Sequence, residues 1–97
     1  MLGHVALEFR GGSMTIQPGI LLVWVATDPN EVGGDWDGTR YRVLSTCDYA
    51  GCDMIAMTGF HRHSVTNFKD LKGFHPDLGD PVTKLWAEAH NISPQTR

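Results

Sequence analysis

The chain predicts an α+β domain: a curled, mostly antiparallel sheet of four to five strands with a C-terminal helix packed on one face. Three observations lead there. Residues 20–26 form the only unbroken apolar run, and a run this short, rich in branched residues and fenced by turn residues, is a strand. Segments on both sides of it alternate apolar and polar residues with period two, the pattern of half-buried strands. Near the C-terminus, Asp80 and Pro81 precede apolar residues at Val82, Leu85, Trp86 and Ala89, a helical spacing.

Residues 4–10 alternate, with Val5, Leu7 and Phe9 on one side. Gly11, Gly12 and Ser13 interrupt them and residues 14–17 resume extended structure, so an antiparallel hairpin is the simplest arrangement. Pro18 cannot donate to a ladder and belongs at a bend, bulge or edge. Residues 20–26 are apolar at both parities, which predicts a strand buried on both faces. Residues 28–39 are a glycine-rich loop holding Trp36. Residues 40–47 alternate again, Tyr41 and Val43 facing one way and Arg40, Arg42 and Leu44 the other. Residues 48–51 suit a four-residue hairpin turn with Gly51 in the left-handed position, and residues 52–60 suit the returning strand.

Phe68 and Leu71 are three apart, which predicts a short helical turn over residues 67–72. Asp80 is a good N-cap and Pro81 a good first helical residue. The helix should then lay Val82, Leu85 and Trp86 on the sheet and stop at Asn91. Residues 1–92 make one α+β domain and residues 93–97 a flexible tail. One helix of this length cannot cover both faces of such a sheet. The second face must be closed by curling, by the 67–72 segment or by a second copy, so a homodimer is expected.

A chain of 97 residues buries roughly 60–70% of its unfolded surface, enough for one core. A net charge of −3 leaves no electrostatic footprint for duplex DNA or anionic lipid. The N-terminus has neither a basic region nor a continuous apolar stretch, and no run approaches the roughly 20 apolar residues of a membrane span. No membrane association and a cytoplasmic setting are expected, with the two cysteines reduced.

The side chains that could carry chemistry form three groups. Cys47 and Cys52 straddle a hairpin turn, and with His61 and His63 they offer a Cys2His2 set for zinc, hydrolytic in one version; the single residue between the histidines is tighter than usual zinc spacing. Otherwise the cysteines are small buried hydrophobes and no cofactor is needed. His61, Arg62, His63 and His75 could line a cleft, and Trp36, Tyr41, His61, His63 and His75 are the candidate binding set for a small molecule or another protein. Arg10, Arg40 and Arg42 could form a basic stripe that, with Trp36, would hold single-stranded nucleic acid. Tyr41 alternates away from those arginines, so nucleic acid is the less favoured partner.

Other signatures fail on spacing. Residues 28–39 place Val32 and Thr39 where a calcium loop needs oxygen ligands. No glycine pair opens a helix as a phosphate loop does. The resulting expectation is a small, homodimeric, non-catalytic binding module, with the zinc protein and the single-strand binder as alternatives.

Overall fold

A tight turn launches the first strand. Gly19 has a φ of 96°, and the Ile20 N–H donates to the Gln17 carbonyl at 3.4 Å. Proline second and a left-handed glycine third are the residues a type II turn requires. The computed structural model describes residues 16–26, 30, 37–45, 50–71 and 73–90. Within them lie β1 (Leu21–Trp24), β2 (Arg40–Val43), β3 (Cys52–Ala56), β4 (Val65–Phe68), β5 (Phe74–Pro76) and α1 (Pro81–Ala89). The strands form one antiparallel sheet in the order β4-β3-β2-β1-β5. The α+β expectation therefore holds. The predicted hairpin over residues 4–17 lies mostly outside the described residues; Ile16 and Gln17 belong to no strand, although Ile16 is buried.

Register assigns the faces. Leu22, Tyr41 and Ala56 form one cross-strand row and Val43, Met54 and Thr66 the next. Leu22, Tyr41, Val43, Met54 and Ala56 are all core residues. The opposite face carries the row Leu21, Arg42, Ile55, Val65, beside Val23, Arg40 and His75. This corrects the central strand: Leu22 is fully buried, but Leu21, Val23 and Trp24 are only half-buried. Its apolar residues at both parities produce one closed face and one partly open face.

Curling closes the inner face. β4 and β5 are opposite edges, and four strand spacings of a flat sheet would part them by about 19 Å. Yet the rings of Phe68 and Phe74 stand with centroids 4.9 Å apart, and Tyr41 meets them at 5.2 and 5.4 Å, all edge to face. Aromatic pairs of this geometry contribute about 0.5–1.5 kcal/mol beyond their burial. Leu71, on the crossing from β4 to β5, is wholly buried in the core. The predicted helical turn at 67–72 is absent from its described residues, 67–71. Phe68 ends a strand paired to Cys52 and Leu71 enters the core from the crossing, so their spacing reflects two different elements.

The helix starts where predicted and is rotated from the predicted face. Asp80 is the N-cap, accepting from the Thr83 N–H at 3.1 Å, and Pro81 follows in the first turn. Thr83, Trp86 and Ala87 are buried, whereas Val82 and Leu85 are 54% and 68% exposed. The cause is polar. The Thr83 hydroxyl donates to the Asp80 carboxylate at 2.7 Å and accepts the Leu21 N–H at 2.7 Å. In the β1 ladder Leu21 points its backbone groups away from β2, and its carbonyl accepts the Asp77 N–H. The helix start thus takes the place of a neighbouring strand, and that bond fixes its rotation.

Candidate functional site

The end of the β3–β4 hairpin is held rigidly and carries an exposed aromatic ring. The β2–β3 ladder finishes with the Met57 N–H on the Arg40 carbonyl at 2.7 Å and the Arg40 N–H on the Thr58 hydroxyl at 3.0 Å. Gly59 then turns the chain with a φ of 85°. It lies so close to the buried Thr39 that a Cβ there would sit 2.9 Å from Thr39 Oγ1. Two further bonds tighten the loop: the Arg62 N–H to the Gly59 carbonyl, and the Ser64 N–H to the His61 carbonyl.

His63 and Ser64 together oppose Ala56. The Ala56 carbonyl accepts the His63 N–H at 2.7 Å, and the Ala56 N–H donates to the Ser64 carbonyl at 3.0 Å. Two residues against one is a β-bulge of the kind whose first position is left-handed and usually glycine. His63 occupies it with a φ of 75°, the one non-glycine residue at positive φ among those described. Phe60, at the outer point of the loop, is 82% exposed. Its ring meets that of His61 edge-on at 5.2 Å, and Arg62 and His63 are both exposed.

Below the bulge, β4 is an edge of the sheet. Ala56 and Ser64 are a hydrogen-bonded position, so by antiparallel alternation Met54 and Thr66 are the next. Val65 and Asn67 therefore turn their N–H and C=O groups outward, and no described residue bonds to them there. Val65 is 60% exposed.

The predicted site residues are dispersed. His61 and His63 lie at the hairpin end. Tyr41 lies inside, wholly buried in the core, where desolvation pushes its phenol up to about 12. His75 lies on the other sheet edge, buried, opposite Val23. The structure thus brings His61 and His63 into one loop and leaves Tyr41 and His75 apart from them and from each other. Trp36, Cys47 and Arg10 lie outside the described residues.

The two described arginines of the basic stripe are each paired with a carboxylate. Arg40 Nε pairs with Asp77 at 2.7 Å, and Arg42 lies 3.6 Å from Asp80 while donating to the Gly19 carbonyl. Both carboxylates come from the segment between β5 and α1. Hydrogen bonds from Thr83, with Arg42 adding its charge, hold the Asp80 carboxyl below the usual carboxylate range.

Cys52 corrects the expected redox state at that position: it is disulfide-bonded and fully buried. A disulfide-bonded sulfur offers no thiolate to zinc. Among the described residues no group of three or more metal-ligating side chains converges. No helix of the described residues is long and apolar enough to cross a membrane.

Sequence reasoning named Arg62 beside His61 and His63 but missed Phe60 and Val65. The signal for Val65 was present, because Val65 and Thr66 are adjacent β-branched residues with strand preference. The signal for Phe60 was Gly59, which marks a turn and so takes the following aromatic out of the strand. No protein-family model, no curated protein and no solved structure matches this chain.

Proposed function

We propose that the chain is a small non-catalytic binding module that associates with a second copy of itself through the open edge of β4. The observation that carries this reading is the pair of outward backbone positions, Val65 and Asn67, on an edge strand whose Val65 side chain is 60% exposed. An edge of this kind is a template for an added strand, with backbone bonds supplying affinity and alternate side chains supplying selectivity.

An antiparallel pair of β4 strands would give the exposed Val65 side chain an apolar neighbour. It would also extend the outer row of Leu21, Arg42, Ile55 and Val65 into the second copy. The original reason for a dimer, a central strand needing cover on both faces, no longer applies, because curling closes one face and the other tolerates water. The edge takes its place as the reason.

Sedimentation equilibrium over a wide concentration range tests the reading. Wild-type protein should fit a monomer–dimer equilibrium. Val65→Lys, which places a charge on the edge as natural edge strands do, should be monomeric with an unchanged melting temperature. Wild-type protein that stays monomeric at hundreds of micromolar would sink the proposal.

A further inference from the structure

The end of the same hairpin presents different chemistry from its edge. Four consecutive residues, Phe60, His61, Arg62 and His63, are of the types that stack on unpaired bases or contact phosphate. Phe60 is 82% exposed, and its ring stands perpendicular to that of His61 with centroids 5.2 Å apart. Arg62 is exposed and makes no ion pair with any described residue, in contrast to Arg40 and Arg42, which meet Asp77 and Asp80. Residues 57–64 contain no carboxylate.

The loop is also pre-organised. Backbone bonds to Arg40, the close approach of Gly59 to Thr39 and the bulge at Ala56 fix the chain on both sides of Phe60. A histidine is kept at a left-handed bulge position that glycine would fill with less strain, and backbone strain of this sort collects at functional sites.

We propose that this hairpin end is a contact site for single-stranded nucleic acid, with Phe60 stacked on a base and Arg62 on an adjacent phosphate. The site is separate from the β4 edge and does not depend on the dimer. Single strands fit better than duplex, because one ring and one arginine on a chain of net charge −3 cannot supply the many phosphate contacts of duplex binding. An anionic membrane fits less well, because stable attachment needs more apolar insertion than one phenylalanine beside a partly exposed Met57 provides.

Fluorescence anisotropy of a short fluorescein-labelled oligouridine, titrated with the full chain at low salt, tests this. Binding should appear and weaken as salt rises. Phe60→Ala should weaken it by roughly 5- to 150-fold, the effect of losing one stacked base. Arg62→Ala should flatten the salt dependence by about 0.7 in logarithmic slope, one phosphate contact on a single strand. Both positions are exposed, so both variants should melt with wild type, and Val65→Lys should bind as wild type does. No anisotropy change at low salt would overturn the proposal, as would Phe60→Ala with full affinity. Sedimentation of the chain with phosphatidylserine vesicles, in the absence of oligouridine binding, would transfer the loop to a membrane role.

Discussion

At the start of α1, Asp80, Thr83, Leu21 and Arg42 answer one another: a carboxylate accepts two bonds from one threonine, whose hydroxyl accepts a strand N–H, with a guanidinium alongside. At the end of the β3–β4 hairpin the backbone is equally well bonded, but Phe60, Arg62 and His63 are exposed and His63 holds a glycine's conformation. Both segments connect two regular elements. One directs its side chains into the fold and fixes the helix; the other fixes its own backbone and turns Phe60, Arg62 and His63 to the surface. Order in a loop is thus not evidence that its side chains are structural. The two questions separate once backbone and side-chain partners are counted apart.

The largest expected effect lies at the helix. Thr83→Val keeps shape and burial but removes the acceptor of the Leu21 N–H and a donor to Asp80. It should cost about 1–3 kcal/mol in a urea titration, because buried groups are left unpaired. A neutral result would erase the contrast between the regions. Next comes the acid response of Asp80. Its carboxyl titrates lower in the fold than in the unfolded chain. Its contribution is therefore complete above the unfolded value of about 3.9 and is lost as pH falls through the lower folded value. Asp80→Asn keeps a capping side chain, so its melting temperature should fall less steeply than wild type's in that acid window. Parallel acid limbs would remove the electrostatic part of the account.

The smallest effect is expected at the hairpin, and with the opposite sign. His63→Gly relieves left-handed strain of about 1–2 kcal/mol and adds glycine's entropic cost of about 0.5–1 kcal/mol. The net should be a gain of roughly 0.5–1 kcal/mol by thermal or urea melting. A loss would show that the histidine side chain stabilises the loop, making the hairpin end a structural turn like the helix start.

Local patterns were legible where one element's own residues decide the outcome. Tyr41 and Val43 share a buried face, as their alternation requires, and Asp80 with Pro81 begins the helix. Patterns that depend on a distant partner were misread. Val82 and Leu85 read as core because they are apolar at helical spacing, yet Thr83 won the inward position through its bond to Leu21, 62 residues away in the chain. Phe68 and Leu71 read as one helical face because spacing alone cannot reveal a strand ending and a crossing beginning. The candidate site was half legible. His61 and His63 stand at the hairpin end, but Tyr41 and His75 were grouped with them by residue type, and the sheet places those two in the core and at the far edge.

By itself the sequence determined the class of fold, the inward residues of β2 and the helix start. Each follows from steric and hydrogen-bonding rules that act over a few residues. The tertiary structure alone decided the rest. It curled the sheet until Phe68 met Phe74, paired Arg40 and Arg42 with Asp77 and Asp80, and left Phe60 and the β4 edge open. Those outcomes depend on which segments meet across the sheet, and contacts between residues far apart in the chain leave no period or spacing to read.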